Sequence, residues 1–180
     1  MNYPLSKRVK RLETVQRQRK PEMKYVLHSI STAALADASV ITTELTSIAQ
    51  GNAADEREGN HVKFTRVEVR GYMDEKLDGY LIQCHTTTAP AYANFNGVAG
   101  GALAVIDNNT KFTEWRHFTG STLVNMYDKI AQRFRYGFKA KYNGTAATNC
   151  VDNRLYLVIK NNTGAAGEVR LTIRCWYTDN

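Results

Sequence analysis

The sequence predicts an all-β protein: an eight-stranded antiparallel jelly-roll sandwich preceded by a disordered basic arm. Short runs with period-two alternation of apolar and β-branched residues fill the chain from residue 23 onward. Turn residues such as Asn143-Gly144 separate these runs, and no long amphipathic helix pattern interrupts them. Eight or so short strands over about 150 residues are typical of a double-sheet jelly roll.

The first element is the arm, which we assign to residues 1–22. Residues 1–24 hold eight basic and two acidic residues, a net charge of +6, whereas the remainder of the chain is almost neutral. Such a short, self-repelling segment is expected to be disordered when free and to order against a polyanion. The candidate nucleic-acid-binding residues are the basic side chains of residues 1–24, which are those of the arm together with Lys24 just after it: Lys7, Arg8, Lys10, Arg11, Arg17, Arg19, Lys20 and Lys24.

The folded domain, residues 23–180, contains the strand candidates. In His61–Met73 the apolar positions change phase between Phe64 and Val67, which indicates a bulge. The last run alternates apolar and polar residues from Val169 to Cys175. The predicted strands are Lys24–Ser31, Ile41–Ile48, His61–Met73, Gly79–Thr87, Ala102–Ile106, Leu123–Ile130, Phe134–Tyr142, Arg154–Lys160 and Glu168–Tyr177.

Two connections complete this prediction. Residues 131–133 are expected to be a short junction between strands. Thr88–Thr122 is interpreted as long connections rich in aromatic residues, which either pack on the sandwich or contact other subunits. Between Arg133 and Tyr142, alternation places aromatic residues on the core face and basic residues outside. A closed barrel is an alternative that these long connections disfavour.

The sequence offers little catalytic chemistry. The four histidines have no metal-ligand spacing, and neither a nucleophile elbow nor a phosphate loop is present. Cys84 and His85 are consecutive on a predicted strand, so their side chains should point to opposite faces. We therefore expect no enzyme. The three cysteines are expected to be reduced and mostly buried, and no apolar run approaches the ~20 residues of a membrane span.

Several motifs, in order, carry a family resemblance. Ile48-Ala49-Gln50-Gly51, Arg57-Glu58-Gly59-Asn60-His61-Val62 and Val69-Arg70-Gly71 resemble the I-x-Q-G, R-x-G-[ND]-x-[VI] and R-G signature of single jelly-roll capsid proteins of small icosahedral viruses. Val124–Lys129, Asp152–Tyr156 and Trp176–Asp179 are similar to later motifs of that family, which includes satellite tobacco necrosis virus and circular Rep-encoding single-stranded DNA viruses.

This resemblance implies a viral coat protein that assembles with itself into a shell of sixty copies (T=1). The arm would bind a single-stranded genome inside the virion, with DNA favoured over RNA. Independently of the resemblance, the basic run Lys7–Arg11 is also typical of a nuclear import signal. No cofactor is expected to be required. The satellite virus resemblance implies a calcium ion between subunits, held by Asp179 and by the loop of Glu58 and His61. A host receptor is implied without being identified.

Two other functions stay open at this point. A cellular single-stranded nucleic-acid-binding β-barrel protein would need basic and aromatic residues interleaved on one folded face. A secreted jelly-roll lectin is disfavoured because the chain shows no signal-peptide pattern and carries a polycationic arm.

Overall fold

The computed structural model describes residues 22–179 except 52, 54, 76, 87, 92–94, 97–104, 107–111, 121–128 and 162–163. The arm expected over residues 1–22 therefore lies outside the described residues, apart from the exposed Glu22. The strands are β1 (Met23–Leu35), β2 (Ser39–Glu44), β3 (His61–Met73), β4 (Leu77–Cys84), β5 (Phe95–Asn96), β6 (Val105–Ile106), β7 (Phe112–Thr119), β8 (Lys129–Tyr142), β9 (Cys150–Asp152), β10 (Arg154–Asn161) and β11 (Gly167–Asp179). A 3-10 turn spans Ala147–Asn149.

The strands form two antiparallel sheets whose order defines the topology. The five-stranded sheet has the order β1-β11-β3-β8-β9, and the four-stranded sheet has the order β2-β10-β4-β7. Counting the eight long strands along the chain, the first, eighth, third and sixth share one sheet. The second, seventh, fourth and fifth share the other. This is the jelly-roll order, and it confirms the predicted fold class.

The core lies between the two sheets. Alternating residues of β11, from Val169 to Cys175, are buried as predicted, and so are Val62, Phe64, Val67 and Val69 of β3. The phase change in β3 is a bulge at Thr65, where the pairing with both β11 and β8 shifts register. The Thr65 hydroxyl donates a hydrogen bond to the Trp176 carbonyl, with 3.3 Å between the oxygens. The bulge lets apolar residues on either side of Thr65 face the same core.

Strand β7 corrects the sequence prediction. Residues 112–119 were expected to be part of a connection, but they pair with β4 along the edge of the four-stranded sheet. The register shifts between Leu81 and Ile82 because β7 has an extra residue at Trp115. As a result Phe112 and Phe118 face opposite sides of the sheet, one in the outer cluster and the other in the main core. A search for simple alternation of apolar and polar residues does not detect a strand with such a bulge.

Other boundaries also differ from the prediction. Residues 131–133 are not a junction but part of β8, which runs from Lys129 to Tyr142. Of the strand expected over Ala102–Ile106, Val105–Ile106 is a strand that pairs with β5, and residues 102–104 lie outside the described residues. Most of the strand expected over Leu123–Ile130 lies outside the described residues.

The two outer faces of the sandwich differ in chemistry. The outer face of the four-stranded sheet holds a second buried apolar cluster: Tyr80, Ile82, Cys84, Phe112, Tyr156 and Val158. The Thr42 hydroxyl donates to the Pro90 carbonyl over 3.1 Å, so the segment after β4 lies over this face. Among the described residues nothing covers the outer face of the five-stranded sheet, where Tyr25, Leu27 and Tyr72 are each more than two-fifths exposed. The described part of the chain contains no helix long and apolar enough to cross a membrane.

Candidate nucleic-acid interface

Of the eight basic residues assigned to nucleic acid, the structure describes one. Lys24 is the second residue of β1, and its side chain is 6% exposed rather than free in solvent. Its ammonium lies 2.7 Å from Glu58 Oε1 and 3.2 Å from Asp179 Oδ2, and it also donates to the Glu56 carbonyl. The hydrogen bond to Glu58, followed by the attraction of Asp179, raises the Lys24 pKa against the opposing effect of burial. Lys24 thus joins the start of β1 to the end of β11. The other seven cations lie outside the described residues.

Lys24 also bears on the calcium expectation. Two of the residues implied for calcium, Glu58 and Asp179, come together in one chain, but the Lys24 ammonium group forms ion pairs with both of their carboxylates. His61 is exposed at the start of β3. Among the described residues, no group of three or more His, Cys, Asp and Glu side chains is arranged to hold a metal ion. The arrangement within one subunit therefore does not fit calcium, and a calcium ion between subunits stays a prediction.

The motif residues around Arg57 form a clamp within the fold. Arg57 is fully buried, and its guanidinium donates to the carbonyls of Ile48 (3.1 Å), Gly59 (2.5 Å) and Gly144. It also lies 4.1 Å over the ring of Tyr142. The backbones of residues 49–51 and 57 hydrogen-bond to each other, which completes the link. The family-like signature therefore has a structural reason, because one arginine satisfies carbonyls of three separate segments.

The outer face of the five-stranded sheet is strongly cationic. Paired positions on β1, β11, β3 and β8 project together on this side, as in the row Tyr25, Trp176, Arg66 and Arg133. The described side chains of these four strands bring eight basic residues to this face against the acids Glu68 and Glu168. The basic residues are Lys63, Arg66, Arg70, Arg133, Lys139, Lys141, Arg170 and Arg174. A chain body that is nearly neutral overall thus concentrates positive charge on one side.

Arginine and aromatic side chains alternate in one part of this face. The Arg174 guanidinium lies 5.1 Å from the Tyr25 ring centre and 5.6 Å from that of Trp176, and Arg66 lies 4.8 Å over Trp176. We call Tyr25, Arg174, Trp176 and Arg66 the ladder. The buried Glu68 accepts from Arg66 Nη2 and Arg70 Nε, each over 2.6 Å, and so fixes the position of both guanidiniums.

Sequence reasoning found part of this face and missed the ladder. Phe134, Phe138 and Tyr142 are buried while Arg133 and Lys139 are exposed, as alternation predicted. Alternation in the last strand puts Arg174 and Trp176 on one face, but Tyr25 and Arg66 lie about 40 to 150 positions from each other and from this pair, so no local pattern contains the whole ladder. A local signal was present in β1, where apolar residues occur on both sides of the strand. Val26 and Ile30 lie on the core side, and Met23, Tyr25 and Leu27 lie on the outer side, where they are exposed.

The structure also shows the positions of the cysteines and of His85, which the sequence analysis considered for catalysis. Cys84 is buried and His85 exposed, so their side chains point apart as predicted. All three cysteines are unbridged and buried, in agreement with the sequence. Burial raises the Cys84 pKa to about 12, which keeps its thiol protonated at neutral pH.

Comparisons with known proteins give distant likenesses. No protein-family model matches the chain, and no curated protein matches its sequence. A structure of Desmodium yellow mottle tymovirus is similar over 89% of this chain and 89% of its own, with 14% identity and a TM-score of 0.31. A structure of the Gx strain of infectious bursal disease virus matches 89% of this chain and 42% of its own, with 10% identity and a TM-score of 0.21. At these TM-scores neither likeness carries an argument, and the fold class rests on the strand order.

Proposed function

We propose that this chain is the coat protein of a small icosahedral virus. The observation that carries the proposal is a jelly-roll body with a basic segment directly before its first strand. A jelly roll leaves few sheet edges open and presents loops at its ends, so copies can pack around symmetry axes. A fold alone does not determine function, and the second part of the argument is the charge of the arm. Residues 1–22 hold seven basic and two acidic residues, and this net charge of +5 is suited to binding phosphates without reading bases.

The finer proposal is a closed shell of sixty copies around a single-stranded genome, with DNA favoured over RNA. It is supported by the motif resemblance, and the chain is taken to act in the virion, with passage through the host nucleus before assembly. We propose no catalytic function and no required cofactor.

The size of the purified assembly tests this proposal. Sixty copies of a 20.3 kDa chain give a particle of roughly 1.2 MDa, which sedimentation and negative-stain microscopy measure directly. The expected result is a uniform closed particle. If the full chain, at high concentration across a range of salt and pH, never exceeds a small oligomer, the coat-protein proposal is wrong.

A cellular single-stranded nucleic-acid-binding protein is the second candidate. The observation that favours it is the ladder, which interleaves aromatic and basic residues on a folded face. The barrel expected for such a protein is not found in the described residues, which form two separate main sheets. A monomer or dimer that binds oligonucleotides tightly would favour this candidate.

A further inference from the structure

We propose that the outer face of the five-stranded sheet is a second binding surface for single-stranded nucleic acid. In this proposal bases stack against Tyr25 and the other planar groups of the ladder, while arginine N–H groups bind phosphates. The inference rests on the proposed function for the source of the strand, but it concerns the folded body and not the arm.

The charge of the face identifies a polyanion as the partner. Eight basic side chains against two acids leave a net charge of +6 among the described residues of four strands. One of those acids, Glu68, is buried between two arginines and does not face the partner. Surfaces of this sign attract and orient anionic chains.

The ladder identifies exposed bases as what the face contacts. An arginine stacked on an aromatic ring keeps its N–H edge free, so one group can stack and bind phosphate together. Arg174 is the clearest example, since it contacts both Tyr25 and Trp176 and forms no ion pair with any described carboxylate. Single-strand-binding proteins combine a basic track with stacked aromatic groups in this way.

The position of the ladder relative to the arm supports the same partner. Met23, where β1 begins, is two residues from Tyr25, a distance of about 7 Å along an extended strand. The chain therefore attaches the basic residues before Met23 to the end of the sheet where the ladder lies, and nucleic acid bound to those residues would be close to the ladder.

Other occupants fit less well. In a duplex the base faces are stacked within the helix and cannot reach the ladder. A second copy that used the same face would bring two surfaces of net charge +6 together, which is repulsive. Single strands supply both the negative charge and the open base faces.

Tryptophan fluorescence tests stacking directly, because the chain has two tryptophans, one on each sheet. Trp115→Phe leaves Trp176 as the reporter in the ladder, and Trp176→Phe leaves Trp115 on the other sheet. We would titrate the unassembled full chain with oligothymidylate and, separately, with inorganic polyphosphate, while fluorescence anisotropy measures binding. Oligothymidylate should change the emission of the Trp115→Phe variant and leave that of Trp176→Phe unchanged. Polyphosphate should bind through charge with little effect on either.

Affinity provides a second measurement with a matched control. Tyr25 and Tyr72 are exposed to similar extents, 46% and 43%, on the same face, but Tyr25 belongs to the ladder and Tyr72 does not. Tyr25→Ala should weaken binding of oligothymidylate about tenfold, whereas Tyr72→Ala should weaken it less than about twofold. Circular dichroism checks that both variants fold.

Three results would overturn the proposal. One is oligothymidylate binding that leaves the Trp176 emission unchanged, and another is an equal response to polyphosphate. The third is a change in Trp176 emission with protein concentration alone, which would indicate that a second copy covers the face. Shell formation is scored separately by sedimentation, so a failure here is distinguishable from a failure of the coat-protein proposal.

Discussion

At the scale of single residues, Arg57 shows how a charged side chain can organise a loop. It is the largest of the fully buried side chains among the described residues, and its guanidinium contacts backbone carbonyls with no carboxylate in ion-pair range. Two of these carbonyls, Ile48 and Gly59, belong to the loop around Arg57, and the third, Gly144, lies 87 residues away in sequence. The energy of the arrangement comes from satisfied carbonyls, since a buried carbonyl without a donor is costly.

Replacement of Arg57 should therefore destabilise the whole domain. Arg57→Met removes the guanidinium donor from the buried Ile48 carbonyl and from the partly buried carbonyls of Gly59 and Gly144, and the free energy of unfolding should fall by about 3–5 kcal/mol. Arg170→Met is the control, because that side chain is 69% exposed and pairs with a partly exposed glutamate, so its loss should cost less than about 1 kcal/mol. Urea denaturation of the unassembled chain measures both. Equal effects of the two substitutions would contradict this account of the clamp.

Lys24 predicts a stability change at alkaline pH. Its pKa is raised in the folded state, chiefly by the hydrogen bond to Glu58. A raised pKa means that the ion pairs contribute their full stability below the unfolded-state value of about 10.4 and lose it as the pH rises through the folded-state value. The difference in unfolding free energy between the wild type and Lys24→Met should be constant near neutral pH and shrink above about pH 10.5.

The wild type must be compared with Lys24→Met because other side chains also lose protons in the same alkaline pH range. Burial raises the pKa of Tyr80, Tyr142 and Tyr177, so alkaline pH weakens the wild type through these residues as well. They are present in both chains and cancel in the difference. A wild type to Lys24→Met difference that keeps its size up to pH 12 would show that the ion pairs do not stabilise the fold.

At the scale of strands, one bulge that the sequence predicts and one that it does not show how alternation patterns succeed and fail. The bulge in β3 could be predicted because apolar residues on both sides of Thr65 are plainly visible. The bulge at Trp115 could not be predicted. Phe112 and Phe118 are six residues apart, a spacing that predicts one face of a regular strand, whereas they lie on opposite faces of the sheet. Local alternation predicts a strand where one face is buried, and β7 is buried on both sides in different places.

Gly71 in β3 predicts a sharp element-scale effect. Its φ is +135°, and a methyl group there would overlap the Arg170 carbonyl oxygen on β11. Gly164 also has a positive φ, +74°, but nothing lies within 4 Å of an added methyl group. Gly71→Ala combines strain with a backbone clash in the centre of a sheet, and it should cost at least about 2 kcal/mol more than Gly164→Ala.

Thermal or urea denaturation of the two glycine variants checks this difference. The pair is informative because both substitutions place alanine at positive φ, and only one places it against another strand. If Gly164→Ala were as destabilising as Gly71→Ala, conformational strain alone would account for the effect and the close approach of β3 and β11 would not matter.

At the scale of the whole molecule, charge is distributed in three parts. Residues 1–22 have a net charge of +5, the described residues on the outer face of the five-stranded sheet have a net charge of +6, and the rest of the body is correspondingly acidic. The charge of the first segment is visible in the sequence because its cations lie close together along the chain. The face could not, because pairing of β1, β11, β3 and β8 brings its arginines together from opposite ends of the chain. Lys24 was assigned to the arm for the same reason, since sequence shows its neighbours but not its carboxylate partners.

This division predicts how nucleic-acid binding depends on salt. For single strands, log affinity should fall against log salt with a slope of about −0.7 per phosphate neutralised. The seven cations of residues 1–22 then contribute about −5 to the slope, and with about −1 to −3 from the sheet face the unassembled full chain should show a slope of about −6 to −8. A variant with these seven residues changed to Gln should keep weaker binding through the sheet face, with a slope reduced to about −1 to −3. Anisotropy titrations of oligothymidylate from low to physiological salt measure both slopes. Equal slopes for the two chains would indicate that the electrostatic contacts are made by the folded body and not by the arm. A flat salt response in the wild type would indicate that such contacts do not contribute to binding.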